Sequence, residues 1–304
     1  MQGKIPQKKQ KIVVIVGPTA SGKTSLSVSL GKTLNGEIIS ADSRQVYRTL
    51  DIGTEKITIE EMQGVPHHLI DYIDPVESYA ASDFVQEAHA AITAIQNRGH
   101  IPLVVGGTFF YIEALLGKKQ VPTVPPNTVL RTELETLSNE DLFMRLTALD
   151  PVRANTIDRH NPRRLVRALE IVAALGTVPE VATAESPYDA HIIGLSTSPE
   201  VLRKRIALRL HHTLEKGLIQ ETQKVIADGL PEKRLREIGL EYSIVLDYLQ
   251  GDIAEKNLEK VLTEKVWQYA KRQRTWLKKM ENVHWYSPDQ SDQILSDIRN
   301  FLQR

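Results

Sequence analysis

Short apolar runs alternate along the chain with segments whose apolar residues recur every three to four positions. The runs are Ile12 to Val16, Glu37 to Ser40, His68 to Ile73, Ile101 to Val105 and His191 to Ser196. Largely apolar runs of this length, separated by helical periodicity, are the pattern of parallel strands joined by helices and buried on both faces. The chain therefore reads as α/β, with a parallel sheet flanked by helices. In "KKQVPTVPPNTV", Lys118 to Val129, three prolines end the sheet-like pattern, and the chain from there to about Pro187 is helical in pattern. Residues 122–187 are expected to form an inserted all-helical subdomain, with 1–121 and 188–304 forming the core and its C-terminal helices. After Ser196 helical periodicity runs to the end of the chain, with no further strand expected. In the longest such segment Leu258, Leu262, Val266, Tyr269, Trp276 and Met280 fall on the expected core side, and Trp267, Lys271, Arg274 and Lys278 on the opposite side.

The first apolar run leads into "GPTASGKT", Gly17, Pro18, Thr19, Ala20, Ser21, Gly22, Lys23 and Thr24, followed by Leu26, Leu30 and Leu34 at helical spacing. A glycine-rich loop between a strand and a helix is a phosphate cradle. Its backbone N–H groups wrap a diphosphate, Lys23 adds a point charge, and the Thr24 hydroxyl suits a magnesium ligand. An ATPase built this way usually ends a later apolar strand in a carboxylate that holds the metal. Here that strand ends in Gly106, Gly107 and Thr108. A carboxylate, Asp42, instead ends the second run, in "GEIISADSRQVY". It could accept a proton from a substrate, bind magnesium through water, or cap the next turn. Thr108 ends a neighbouring strand, so its hydroxyl and Asp42 could face one bound group. Arg205 and Arg209, four residues apart, share a helix face that either clamps a diphosphate or is solvated. His211 and His212 point about 100° apart on that helix, so no metal is expected there.

With 304 residues, 41% apolar and 25% charged, the composition is that of an ordinary globular chain. The lack of cysteine excludes disulfides, thiolate catalysis and cysteine-ligated metals. The basic tail of Met1 to Lys11 precedes an apolar run too short for a secretion signal or a membrane span. A cytoplasmic protein without a membrane partner is expected. Basic and acidic residues balance at 38 each, so affinity for a polyanion must come from local clusters. Two clusters stand out: the Trp267, Lys271, Arg274, Lys278 stripe, and Arg159, Arg163, Arg164 and Arg167 in "RHNPRRLVRALE". Each alone is an ordinary solvated face, whereas together they favour a phosphate-backbone partner.

The segments "GPTASGKT", "SADSRQVYRTLDIGTEK", "PHHLIDYIDPVESYAASDF", "PLVVGGTFFYIEALL", "NPRRLVRALE" and "AKRQRTWLK" occur in one order from about Lys11 to Trp285. In this the chain resembles the bacterial and organellar tRNA dimethylallyltransferases. The resemblance implies a P-loop NTPase-like sheet whose loop holds the diphosphate of dimethylallyl diphosphate. It implies transfer of the five-carbon group to the exocyclic N6 amine of the adenosine 3′ of the anticodon. Asp42 then resembles the general base, and Lys23, Thr24, Thr108 and Arg209 resemble the groups around the diphosphate and its Mg2+. Asp42, Ser43, Arg44, Gln45 and Thr108 would touch the target nucleotide, and Arg131 resembles a tRNA contact. Arg163, Arg164, Arg167, Trp267, Lys271 and Arg274 would meet the anticodon stem-loop of a tRNA bound by a monomer.

The chain departs from the family pattern at two places. Leu240 and Glu241 follow Gly239 where the family usually shows an aromatic and a basic residue, and Val266 and Trp267 stand where a threonine and a basic residue are common. A nucleotide kinase, an enzyme prenylating free adenylate and an RNA-binding module with a regulatory nucleotide site are the competing readings. The two basic clusters weigh against the first two, which need neither, and Asp42 weighs against the third.

Overall fold

Ile12 through Val16 are fully buried, as a strand covered on both faces requires, and they form most of β1 (Gln10–Val16). The computed structural model describes residues 9–179 and 185–304, so Met1 to Lys8 of the basic tail and residues 180–184 of the expected insertion lie outside it. It divides into two units, Met1–Lys118 with Glu185–Arg304, and Lys119–Ala184. After β1 the first unit continues with α1 (Lys23–Leu34), β2 (Gly36–Ser40), α2 (Ile59–Met62), β3 (His67–His68), α3 (Ala81–Asn97), β4 (Ile101–Gly106) and α4 (Phe109–Leu115). The second unit holds α5 (Thr128–Leu134), α6 (Asn139–Leu149), α7 (Pro151–Ala154) and α8 (Pro162–Leu175). The first resumes with β5 (Tyr188–Leu195), α9 (Pro199–Glu215), α10 (Leu218–Ala227), α11 (Glu232–Ile238), α12 (Leu240–Leu249), α13 (Glu255–Leu277), β6 (Val283–Tyr286) and α14 (Ser291–Gln303).

The six strands form one parallel sheet in the order β3-β2-β4-β1-β5-β6. Val13, Ile15, Ile38, Leu103, Val105 and Ile193 form a core with Leu26 and Leu30 of α1 and Ile294 and Ile298 of α14. Phe84, Ala88, Ile92 and Ile95 are the buried face of α3, which packs on β2 and β4. A separate core joins α9 to α13, with Ile206, Leu210, Tyr242, Leu262 and Ala270 buried together. Among the described residues no helix is long and apolar enough to cross a membrane.

Two strand expectations are corrected. Of the run His68 to Ile73 only His68 belongs to a sheet strand, with His67 before it, because Leu69 and Asp71 take left-handed backbone angles, φ 58° and 59°. Ile73 returns as a single parallel bridge to Tyr47. Conversely β6 interrupts the helices expected to reach the C-terminus. Its "VHWY" lies at the sheet edge with His284 and Trp285 exposed, so it carries no apolar run to announce it.

Leu258, Leu262, Val266 and Met280 of the expected core side of α13 are buried, but the buried arc differs from the expected one at the two tryptophans. Trp267 is only 9% exposed while Trp276 is 38% exposed, and Ala270, Gln273 and Leu277 are buried instead. The helix packs against α9, α12 and α4, so the covered arc is wider than one apolar stripe and shifts along its length.

β2 and β4 approach so closely at their carboxyl ends that a Cβ on Gly106 would lie 2.1 Å from the Ala41 carbonyl oxygen. Backbone cannot move aside as a flexible side chain can. Gly106→Ala is therefore expected to destabilise the fold by about 1–3 kcal/mol, read as a lower urea midpoint; an unchanged midpoint would contradict this packing.

Candidate active site

The phosphate loop, Asp42 and Thr108 all follow carboxyl ends of neighbouring strands, where a crevice forms in a sheet of this kind. Gly22 caps α1 at φ 95°, a left-handed turn that glycine adopts without strain. The turn sets the first amides of α1 and the Lys23 side chain at the crevice. Lys23 Nζ donates to the carbonyls of Gly17 at 3.0 Å and Pro18 at 2.9 Å. Burial lowers its pKa to about 8; Asp42 opposes that shift and Arg209 adds to it.

From α9, Arg209 reaches the loop, its Nη1 donating to Thr19 Oγ1 at 2.6 Å, with Glu55 at 3.6 Å from its Nε. Gln273 of α13, 6% exposed, accepts from the Thr19 N–H at 2.8 Å and donates to the Gly107 carbonyl at 3.1 Å. Motif chemistry does not single this residue out. The signal in the sequence is a polar residue at a buried position, three after Ala270 and four before Leu277. Buried Ser21 Oγ and Arg209 Nε have no hydrogen-bond partner among the described residues. Both are donors beside a phosphate cradle, and an anion there would satisfy them.

Across the crevice, Asp42 Oδ1 accepts from the N–H of Arg44 at 2.9 Å and of Gln45 at 3.4 Å. This turn fixes the carboxylate at the end of β2. The Thr108 hydroxyl accepts from the Ser43 N–H at 3.1 Å and donates to Ser43 Oγ at 3.4 Å, joining the ends of β2 and β4. Gln45 Nε2 donates to the Glu55 carbonyl at 2.8 Å. The cleft measures about 690 Å³, and Thr19, Lys23, Thr24, Asp42, Arg44 and Arg209 are among its lining residues. Lys23, Arg44 and Arg209 bring cationic groups to a site that also holds the Asp42 carboxylate, with Glu55 beside Arg209 and Glu241 on Arg44. Arg205 does not join Arg209 there; it is exposed on the outside of α9.

The expected cationic residues separate into two kinds. In the second unit Arg163 and Arg164 are exposed, but Arg131 Nε lies 2.8 Å and Arg167 Nη1 3.3 Å from the buried Glu170 carboxylate. Arg167 also donates to the Val124 carbonyl at 2.8 Å. Glu170 therefore orders these two guanidinium groups. In the first unit, Lys271 and Lys278 are exposed and Arg274 is half-buried. Trp267, expected on the outer stripe, is core instead, with Lys271 5.9 Å and Arg203 6.0 Å from its ring centroid.

A parallel sheet with a phosphate loop after its first strand, and a carboxylate facing that loop, defines a P-loop-like enzyme acting on a phosphorylated substrate. Comparison with known proteins narrows the class. The family model described as IPP transferase matches residues 45–280. A tRNA dimethylallyltransferase of Halalkalibacterium halodurans is 42% identical over 306 residues, covering 97% of each chain. One of Thermomicrobium roseum is 38% identical over 93% of this chain and 88% of its own. The crystal structure of a full-length tRNA isopentenylpyrophosphate transferase from Bacillus halodurans superposes with a TM-score of 0.72 at 39% identity, covering 97% of both chains. A eukaryotic dimethylallyltransferase crystallised acting on tRNA superposes at 0.83 and 28% identity, over 97% of this chain and 80% of its own. The chain belongs to the IPP transferase family, a family of prenyl-transferring enzymes.

Lys23 is positively charged below about pH 8 and neutral above it. Affinity for inorganic diphosphate, measured by calorimetry against a Lys23→Met control that absorbs the ligand's own titration, should fall by up to about tenfold per pH unit above that point. Parallel profiles for the two proteins would mean that the Lys23 charge does not act on the phosphates.

Proposed function

We propose that this enzyme transfers the dimethylallyl group of dimethylallyl diphosphate to the N6 amine of the adenosine 3′ of the anticodon in tRNA, releasing diphosphate. The observation that carries the reading is the opposition of the phosphate loop to the fixed carboxylate of Asp42 in one cleft. Family membership and a structural relative that acts on tRNA support the choice of acceptor.

The chemistry explains why both halves are needed. An adenine amine is a weak nucleophile, because its lone pair is delocalised into the ring. Rate must therefore come from positioning, stabilisation of the leaving group and proton removal. In the reaction the nitrogen–carbon bond forms, the carbon–oxygen bond to the diphosphate breaks, and the amine proton passes to Asp42. Gly17 to Thr24, with Lys23, Arg209 and the Thr108 hydroxyl, hold the diphosphate as its charge builds. Thr24 is exposed at the cleft and suits a hard cation. Among the described residues no group of three or more His, Cys, Asp or Glu is arranged to hold a metal ion. Thr24 would hold Mg2+ there, leaving the other positions to phosphate oxygens and water. Bound there, Mg2+ would neutralise part of the diphosphate charge.

Reaching the amine requires the base to unstack from the anticodon loop, which costs less in a loop than in a duplex. Asp42, Ser43, Arg44 and Gln45 meet the nucleotide, and Arg163, Arg164, Lys271 and Arg274 meet RNA phosphates. Arg131 and Arg167 contribute as groups held by Glu170, and Trp267 by carrying Lys271 on its ring. The enzyme acts as a monomer in the cytoplasm.

Purified protein given radiolabelled dimethylallyl diphosphate, Mg2+ and unmodified tRNA is expected to label the tRNA without ATP. Label on free AMP alone, or a requirement for ATP, would overturn the reading. Asp42→Ala should retain tRNA binding and lose about 100-fold or more in turnover, and an unaffected rate would remove Asp42 as the base. Replacing Lys271, Arg274 and Lys278 together should flatten the salt dependence of tRNA affinity; an unchanged slope makes them a solvated face.

A further inference from the structure

We propose that Glu241 is a positioning residue whose buried carboxylate fixes the Arg44 guanidinium in the wall of the cleft, where Arg44 holds the RNA substrate. The inference rests on the RNA-directed reading above. Glu241 is the second residue of α12, after Leu240 and the N-cap Gly239, and only 3% of its side chain is exposed. Its Oε2 lies 2.5 Å from Arg44 Nη1, and the Arg44 side chain is 18% exposed. The guanidinium carbon sits 5.8 Å from the ring centroid of Tyr269, whose ring also has Arg272 at 5.9 Å. The Arg44 backbone N–H binds Asp42, so the residue is held at both ends.

An arginine head has five N–H donors in a rigid fork. Glu241 engages one nitrogen, and the described residues provide no hydrogen bond to Nε or Nη2. A guanidinium ordered by a carboxylate and an aromatic face, with donors remaining in a cleft, is preorganised for a phosphate or a base edge. Arg44 stays charged in this setting: burial opposes the charge, but Glu241, Asp42 and Tyr269 outweigh it.

The pairing also accounts for an acidic residue beside a cleft proposed to take a polyanion. Free at the cleft, the Glu241 carboxylate would repel an RNA backbone. Paired and buried, its charge is offset by Arg44, and the guanidinium's remaining N–H donors are offered to the substrate from the turn after β2. Asp42 is the neighbouring anion on that strand end, and Arg272 the neighbouring cation on α13.

The test measures KM for an anticodon stem-loop and turnover with dimethylallyl diphosphate, together with affinity for inorganic diphosphate, in Glu241→Gln, Arg44→Ala and the double variant. Glu241→Gln is expected to raise the RNA KM roughly tenfold with diphosphate affinity unchanged, and the double variant to be no worse than Arg44→Ala alone. An unchanged RNA KM in Glu241→Gln, an equal further loss when it is added to Arg44→Ala, or a matching loss of diphosphate affinity would each overturn the proposal. Should Arg44→Ala fail to fold with Glu241 left unpaired, Arg44→Lys supplies the second arm, since it keeps the charge but lacks the fork. It is expected to raise the RNA KM, and wild-type behaviour of Arg44→Lys would overturn the role of the fork. Transfer by the wild-type enzyme in the same assay separates the two readings: its absence defeats the proposed function, its presence beside an unaffected Glu241→Gln defeats this one.

Discussion

The side-chain amide of Gln273 ties the site together, accepting from the Thr19 N–H and donating to the Gly107 carbonyl. Those two backbone groups belong to the phosphate loop after β1 and to the turn after β4. Without a common partner, the loop and the strand end would keep their spacing only through the sheet below them. A primary amide offers an acceptor and a donor on one rigid plane, and a buried carboxylate or alkyl chain offers no such pair. Because Gln273 belongs to α13, the helix that carries Lys271, Arg274 and Lys278 on its outer side is joined directly to the glycine-rich loop after β1.

Charge in the cleft is arranged around that frame in partnered sets. Lys23 rests on loop carbonyls and feels Asp42, Arg209 stands between Thr19 and Glu55, and Arg44 is absorbed by Glu241. Fixed charges and dipoles stabilise a developing charge most when they are held in place beforehand. Desolvation strengthens the same effect and accounts for the lowered proton affinity of Lys23. The second unit uses the same device, with Glu170 gathering Arg131 and Arg167.

Local backbone requirements are legible in the sequence, and packing partners are not. The phosphate loop, Asp42 and Thr108 each sit where a strand ends, and an apolar run stopping at glycine or aspartate marks such a place without any knowledge of the rest of the fold. β1, β2, β4 and β5 are readable for the same reason, being buried on both faces. β6 is not, since an edge strand with exposed His284 and Trp285 has no apolar signature. The extent of β3 is overstated by the sequence pattern, because the run His68 to Ile73 is apolar enough for a strand while its backbone turns at Leu69 and Asp71. Periodicity puts Trp267 on the wrong side of α13, because it defines an arc but not which neighbours cover it. The pairing of Arg44 with Glu241, 197 residues apart in sequence, depends on α12 packing beside the end of β2. The acidic residue is visible as a departure from the family pattern; its partner is visible only in three dimensions.

The central claim is that the diphosphate held by this loop is a leaving group and that the acceptor is one particular adenosine. Nuclease digestion of the reacted tRNA, followed by mass spectrometry of its fragments and nucleosides, tests that most directly. N6-dimethylallyladenosine is expected at the single position 3′ of the anticodon, formed together with free diphosphate. Unmodified adenosine there, or prenylation spread over other positions, would contradict it.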